Sequence, residues 1–450
     1  MKPMLRRCLD ILRLALPVMI SQVSLIIVGF ADNIMVGHYS TQALASASFV
    51  INVFNLVVFC GMGFSYGLTP LVGALFASGK RRDIGRLMRA GLRANVIVGV
   101  LLSAIMLVVY FFLDRLGQPV ELLPLIRPYY LIFLLSVIPM MVFNAFAQWS
   151  FAVKNTSMPM WILLGCNALN IVGNYMLIYG NWGAPELGLT GAGLSTLLAR
   201  VLAPLAIMLI FLYKAENREY RQGFAEAARV PRDMMRKVVK TSWPVALQMT
   251  FETGSFSFCA VFAGWLGTLS LASFQVVLVV STLGFCIYYS IGTAIAVLVA
   301  NATAAGGRAV RRVAIDGYVL MLCFATLSSA VFVLFARDLM GLFTEDAAVM
   351  ALAGSVIFPL VLYQLGDATQ ITFANALRGT SNVMPMLWIA FVSYICVGLP
   401  SAWSFAFPCG MGIYGIILSF SVSLFMAAAL FVWQFFKTAN KEIPDPGAVG

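Results

Sequence analysis

Apolar residues run through the chain in stretches of about 20 or more, enough to cross the hydrocarbon core of a bilayer as a helix. Such runs fall near 14–37, 47–77, 92–113, 128–150, 160–181, 189–212, 239–265, 271–301, 315–336, 350–375, 384–408 and 412–436. They predict an all-α integral membrane protein of twelve transmembrane helices. Three acids interrupt the apolar pattern: Asp32, Glu252 and Asp367. A carboxylate in hydrocarbon is costly, so it normally faces an internal cavity and acts there.

The polar segments between the runs fix an expected topology. Basic clusters precede the first run (Lys2, Arg6, Arg7, Arg13) and fill the second loop (Lys80, Arg81, Arg82, Arg86, Arg89, Arg93). Others occupy the sixth loop (Arg218, Arg221, Arg229, Arg232, Arg236, Lys237, Lys240), the eighth (Arg308, Arg311, Arg312) and the tail (Lys437, Lys441). All fall on one side. The other side holds Arg115, Arg127 and Arg337 among Asp114, Glu121, Glu186, Asp338, Glu345 and Asp346. By the positive-inside rule both termini are cytoplasmic. The first run is too long for the apolar region of a signal peptide and contains Pro17 and Asp32, so it reads as a helix.

The chain also repeats. A shift of 227 positions aligns Pro17-Val18 with Pro244-Val245, Gly37 with Gly264, Leu44-Ala45-Ser46 with Leu271-Ala272-Ser273, and Gly79 with Gly306. Two halves of six helices share one orientation, an arrangement known in transporters. The expected division is an N-terminal lobe (1–213), a cytoplasmic connector (214–237), a C-terminal lobe (238–436) and a tail (437–450). The acids break the symmetry: the shift pairs Asp32 with Cys259 and Glu252 with Leu25. Each half is therefore expected to carry its own polar site.

In the second half, Glu252 lies about a dozen residues into its helix, roughly 18–20 Å from the cytoplasmic start at ~1.5 Å per residue. Gln248 and Ser255 share its face, and Tyr363, Asp367 and Gln370 share a face of the tenth run. Two carboxylates need a counter-charge or a shared proton, so this set reads either as a cation and proton site or as a polar packing cluster. In the first half, Asn170 and Asn174 stand one turn apart. Ser195-Thr196 follows Gly191-Ala192-Gly193, where backbones can approach closely. Together with Asp32 these oxygens suit a hard cation such as sodium; the asparagines read equally as interhelical hydrogen bonds. Gly63 and Gly67 form a GxxxG that reads as packing. Arg200 is the one basic residue expected deep in a helix, and neither cluster is expected to hold a competing buried base.

Composition narrows the class. Of 450 residues 61% are hydrophobic and 10% charged, with mean hydropathy +0.93; soluble domains average roughly 25% charged. The net charge of +11 is spent on topology, which sets nucleic acid aside as a partner. Eight scattered cysteines and a lone His38 offer no disulfide framework or zinc site. The stretch Gly73 to Lys80 has one residue too many between its glycines for a P-loop. No loop is long enough for a nucleotide-binding domain, so energy is expected from an ion gradient without an ATPase subunit. A flippase for lipid-linked saccharides would line its cavity with Arg and Lys, whereas here the candidates are acidic. A membrane-embedded enzyme would need a nucleophile or His-rich set that is not apparent.

At these residues the chain resembles a known family. Ala31-Asp32-Asn33-Ile34-Met35-Val36-Gly37, the Pro17 and Pro244 helix starts, the Leu-Ala-Ser segments and the two six-helix halves look like the multidrug and toxic compound extrusion (MATE) family over essentially the whole chain. Glu252 with Asp367 resembles its bacterial NorM-type branch. The resemblance implies two lobes in a V, a central cavity, and export of cationic drugs in exchange for sodium or protons, with no cofactor beyond that coupling ion. It matches Asp32, Asn170, Asn174 and Thr196 to an N-lobe ion site, and Glu252, Tyr363 and Asp367 to a C-lobe site. Asn174 departs from members with an acid there, which lowers the site's negative charge. Sodium is favoured over the proton, because Asn170, Asn174 and Thr196 supply neutral ligands that a proton would not need. The expected setting is a monomer among the lipids of a bacterial inner membrane, exchanging organic cations.

Overall fold

The computed structural model describes residues 2–115, 119–227, 232–341, 346–441 and 443. Arg229, Glu345 and the tail from 444, all part of the expected topology or domain division, lie outside them, as do the side chains of Lys2 and Arg337. Every regular element in the described residues is helical. The first half holds α1 (Lys2–Tyr39), α2 (Thr41–Tyr66), α3 (Leu68–Ala77), α4 (Arg81–Phe111), α5 (Leu123–Ala152), α6 (Ser157–Tyr179) and α7 (Leu189–Tyr213), followed by the short α8 (Arg218–Glu226). The second half holds α9 (Arg232–Trp265), α10 (Thr268–Ala302), α11 (Gly307–Leu334), α12 (Ala336–Gly341), α13 (Ala347–Ser355), α14 (Ile357–Gly379), α15 (Met384–Ala390), α16 (Leu399–Ala406) and α17 (Gly412–Lys441).

These elements are the twelve expected spans. Among the described residues ten stretches are long and apolar enough to cross a membrane, α2 and α3 counting as one and α15 with α16 as another. The pair α13 and α14, bent by 54° at its break, makes an eleventh. The twelfth is α9, which at 34 residues is long enough. It falls short in apolarity because Thr241, Ser242, Gln248, Thr250, Glu252, Thr253 and Ser255 dilute it. Between α15 and α16 the backbone widens into a π-turn over Phe391–Gly398. Such segments are uncommon and change which side chains face a neighbour.

Packing divides the chain into two compact units, Ile20–Ala246 (the N-unit) and Met1–Met19 with Leu247–Gly450 (the C-unit). The division does not fall in the connector. It falls inside α1 and α9, at Ile20 and Leu247, 227 positions apart and so at equivalent places in the repeat. Each follows its helix's proline, Pro17 or Pro244, by three residues. Proline withdraws a backbone donor from the helix ladder, and here it marks where each helix changes packing partners.

In the N-unit, α5 packs against α2, α3, α4 and α7, and α6 lies along α7. One core gathers Phe64, Leu68, Met88, Phe146, Trp149 and Phe211; another gathers Phe54, Tyr130 and Phe133. The first 3-residue turn past α7 leads into α8, which docks on α4. Tyr220 of α8 is buried with its ring 5.6 Å from Trp149, and Arg89 donates to the Phe224 carbonyl at 2.8 Å. Arg82 and Arg86 both bind Glu226, and the Arg82 bond holds the Glu226 carboxyl below its ordinary range. Such a depressed acid supports the contact above its unfolded pKa and lets go as pH falls through the lowered value. The crossing itself depends on two glycines: a Cβ at Gly223 would lie 1.8 Å from the Arg82 carbonyl oxygen, and one at Gly85 1.9 Å from that of Tyr220.

In the C-unit, α14 packs against α10, α11 and α17. The first segment of α1 joins it through Arg7, which pairs with Asp316 of α11. Asp316 is buried, as Asp367 is, and is a further enclosed acid beside the three expected. It directly follows the Arg308, Arg311 and Arg312 cluster, so in the sequence it reads as part of a charged loop edge.

Because the clash at Gly223 is with backbone, Gly223→Leu is expected to displace α8 where Glu226→Gln only loosens it. Overpacking of this kind costs about 1–3 kcal/mol or more. Limited proteolysis should then cut Gly223→Leu near 214–227 at protease levels that spare the wild type, with a lower melting temperature in detergent. Equal resistance of the two proteins would show that the crossing is not under this constraint.

Candidate functional site

Two polar clusters lie among apolar helices, one in each unit. In the N-unit, α6 carries Asn167, Asn170 and Asn174 on one face at helical spacing. All three are buried, Asn174 completely. They face α1: Asn167 donates to Ser24 Oγ at 2.7 Å, and Asn174 donates to the Asp32 carboxylate. Tyr179, further along α6, donates to the Met35 carbonyl at 2.7 Å. Turned so that both its ends are satisfied, the Asn170 carboxamide gives its nitrogen to Asp32 Oδ1 at 3.1 Å. Its oxygen then receives the Thr196 backbone N–H and hydroxyl, each at 3.2 Å. Ser195 donates to the Asn170 carbonyl at 2.7 Å. Asp32, Asn170, Asn174 and Thr196 are thus brought together, as four helical positions on α1, α6 and α7.

This approach needs small residues on α7 and α6. A Cβ at Gly191 would sit 2.3 Å from the Leu177 carbonyl oxygen, and one at Gly173 2.5 Å from Ser195 Oγ. The cluster also has spare capacity: the buried Asn174 Oδ1 has no hydrogen-bond partner. An orphaned acceptor beside a carboxylate is a position where a cation gains an oxygen ligand without displacing a donor.

One neighbour corrects the expectation of no competing base. Arg200, four residues beyond Thr196 on α7, donates to Ser136 Oγ at 2.8 Å and stacks over Phe133 at 4.7 Å. It stands near enough to Asp32 and Tyr129 to interact with both through space. A basic residue at a helix end is enclosed as well: Arg378, in the last turn of α14, is buried and donates to Asn375.

In the C-unit, Gln248 donates to Glu252 Oε2 at 2.9 Å, one turn away on α9. Ser255 donates to the Tyr394 carbonyl at 3.4 Å, which ties α9 to the π-turn. The Tyr394 side chain is buried beside Glu252, without strict hydrogen-bond geometry between them. Asp367 and Tyr363 of α14 are buried near Glu252. Phe256, Tyr363 and Phe420 close an aromatic wall with ring centroids 4.6–6.4 Å apart. Gln370 is buried on the Asp367 face, and its Oε1 has no hydrogen bond.

Unmet polar capacity is concentrated in this unit. Asp367 Oδ2, Gln370 Oε1, the Tyr288 and Tyr394 hydroxyls and both ends of the Gln364 amide are buried without a hydrogen bond. Gln364, fully buried, presses its amide against α10, where a Cβ at Gly284 would lie 2.8 Å from Gln364 Oε1. Buried polar groups are normally paired, so this interior suits water, protons or a cation. Sequence reading missed Tyr288, Gln364 and Tyr394. Gln364 is adjacent to Tyr363 yet on another helical face, and Tyr394 reaches Glu252 from a π-turn that helical periodicity does not predict. Asn167 was findable by the same spacing that picked out Asn170 and Asn174.

Multiple apolar spans in two repeated units, with acids kept inside, define a multi-pass membrane transporter architecture. The MatE family model matches residues 17–176 and 244–404, one match in each half, and the chain belongs to that family. Among curated relatives, the probable multidrug resistance protein NorM of Bradyrhizobium diazoefficiens is 29% identical over 96% of this chain and 94% of its own. That of Rhizobium meliloti is 27% identical over 97% and 95%. The fold is shared with the eukaryotic MATE transporter AtDTX14, with TM-score 0.87, 18% identity and 98% and 99% coverage. It is shared also with the Vibrio cholerae MATE transporter VcmN, with TM-score 0.84, 17% identity and the same coverage. The chain is accordingly a MatE-family membrane protein, similar over nearly its whole length to curated relatives named NorM multidrug resistance proteins.

The glycine contacts make a prediction independent of any charged group. Gly191→Val is expected to push α7 off α6 and to destabilise the N-unit by about 1–3 kcal/mol, although residue 191 carries no polar side chain. Thermal melting of the purified protein in detergent reads this directly. A wild-type melting temperature in that variant would show that the approach of α7 to α6 is not under this constraint.

Proposed function

We propose that this transporter is an antiporter that exports lipophilic organic cations in exchange for a coupling cation, with both termini cytoplasmic in a bacterial inner membrane, and that it works as a monomer. The observation that carries this reading is the pair of buried acid clusters, each with unmet oxygen acceptors, inside a MatE-family chain. The names of the NorM relatives support the substrate class: they are called multidrug resistance proteins.

The roles follow from the chemistry. In the N-unit, Asp32 supplies the negative charge, and Asn170, Asn174 and Thr196 supply neutral oxygens. Such a set is suited to sodium, which takes hard oxygen ligands. In the C-unit, Glu252 and Asp367 hold two carboxyl groups near one another in a low-dielectric interior. There the pair favours sharing a proton or a cation over carrying two bare charges. Tyr363 shields it on the aromatic side; Gln248 orients Glu252. Gln370 and Ser255 complete the polar lining. An organic cation and the coupling ion then compete for the same negative charge, and each weakens the other's binding. That competition is sufficient for exchange: arrival of one favours departure of the other. Sodium remains the favoured coupling ion, because the N-unit ligands other than Asp32 are neutral oxygens.

Amide replacements remove charge with little change in size. Cells overproducing the protein should extrude ethidium. Glu252→Gln and Asp367→Asn should each lower that efflux by about tenfold or more with normal membrane levels, and Asp32→Asn should abolish its stimulation by sodium. Fluorescence efflux assays with matched expression measure all three. Normal transport by both C-unit variants would make that cluster structural. Full efflux without sodium, driven by a pH gradient and indifferent to added sodium, would assign the coupling to protons.

A further inference from the structure

Arg200 is an expensive residue to keep within a transmembrane helix, and packing does not account for it. The helix α7 crosses the N-unit, and Arg200 lies one turn from Thr196 on the same face. Its guanidinium is fixed by α5, hydrogen-bonded to Ser136 and stacked over Phe133, whose ring lies 5.0 Å from that of Tyr129. A partly buried guanidinium needs a counter-charge. Between Ile20 and the end of α7 only two acids lie within α-helices, Asp32 and Asp83. Asp83 is at the first turn of α4, where it pairs with Arg86. Asp32 is what remains inside the membrane layer, and it is also the one charged ligand of the N-unit cluster.

We infer that Arg200 is a resident counter-cation of the Asp32 site and sets the affinity of that site for its coupling ion. The inference rests on the reading of Asp32 as an ion-binding group. With no ion bound, the guanidinium answers part of the carboxylate's charge and brings the interior closer to neutral. When sodium arrives, it meets a carboxylate whose charge is already partly answered, so it binds weakly. Weak binding is useful here, since a coupling ion must leave on the other side of the membrane, and conduction or exchange fails when a site holds too tightly. The three amide and hydroxyl ligands supply selectivity; Arg200 supplies release. Because it is held by Ser136 and Phe133 on α5, the guanidinium is not itself a ligand and does not compete for position, only for charge. It is a positioning and tuning residue. Tyr129 is the other titratable group facing Arg200 and Asp32, and as a neutral phenol it changes neither charge.

The test uses purified full-length protein and sodium chloride against choline chloride at constant ionic strength, with binding read by thermal shift and by isothermal titration calorimetry. Arg200→Gln should bind sodium at least about tenfold tighter than wild type, whereas Arg200→Lys, which keeps the charge, should stay within about threefold of it. The gain should vanish when Arg200→Gln is combined with Asp32→Asn. In transport assays the Arg200→Gln protein should turn over more slowly as sodium rises on the release side, a readout that a merely structural arginine would not move. Unchanged sodium affinity in Arg200→Gln, equal tightening in Arg200→Lys, or no sodium binding in any variant would overturn the inference. If Arg200→Gln does not fold, Arg200→Met takes its place. The Asp32→Asn protein supplies a second check: stranding Arg200 should lower its melting temperature, and adding Arg200→Met should restore it. No restoration counts against the inference. Wild-type sodium affinity in Asp32→Asn alone would instead remove the underlying site reading, so the two failures are distinguishable.

Discussion

A carboxylate in a hydrocarbon layer must be answered by something, and most of the polar architecture is an answer of that kind. Around Asp32 the answers are Asn174, Asn170 and the guanidinium of Arg200. Around Glu252 they are Gln248 and a nearby tyrosine. Asp367 is answered least: one of its oxygens is buried with no hydrogen bond, as are polar atoms of Gln364, Gln370, Tyr288 and Tyr394 in the same unit. The cost of such groups falls as soon as water, a proton or a cation enters. A site that is incomplete without its ligand has an affinity for it, which is the physical basis of coupling.

The two units solve the same problem with different means. The N-unit uses neutral amides, a hydroxyl and an arginine around a single acid. The C-unit uses two acids with tyrosines and aromatic rings. A pure packing role would not have produced that difference in a duplicated chain, since equivalent helices of the two halves otherwise retain matched prolines and glycines. The divergence fits a division of labour in which the two clusters need not bind the same species.

Much of this was legible in the sequence, for identifiable reasons. Span length is set by bilayer thickness and is read from apolar runs, which include all twelve helices; even α9, too polar to pass on mean apolarity, falls on the run 239–265. Helical spacing brought Asn170, Asn174, Asp367 and Tyr363 onto the right faces. The rest depended on facts that periodicity does not carry. The π-turn at Phe391–Gly398 changes local register and delivers Tyr394 to Glu252. Asp316 pairs with Arg7 from more than 300 residues away, and the change of packing partners within α1 and α9 follows from tertiary contacts beyond each proline. Arg200 was visible as a charge in an apolar run, but its proximity to Asp32 depends on how closely α7 lies against α6 and α5.

The central claim is that buried acids couple substrate export to a cation gradient with no other energy source. The direct measurement is flux in liposomes holding only the purified protein, with no nucleotide present, the membrane potential clamped, and a sodium or a pH gradient imposed in turn. The account predicts accumulation of a lipophilic cation against its own gradient when the opposing cation gradient is applied, with proportional movement of that ion in the opposite direction, and with both fluxes lost together in Asp367→Asn. Substrate that only equilibrates whatever gradient is imposed, or that moves without counter-movement of sodium or protons, would contradict it.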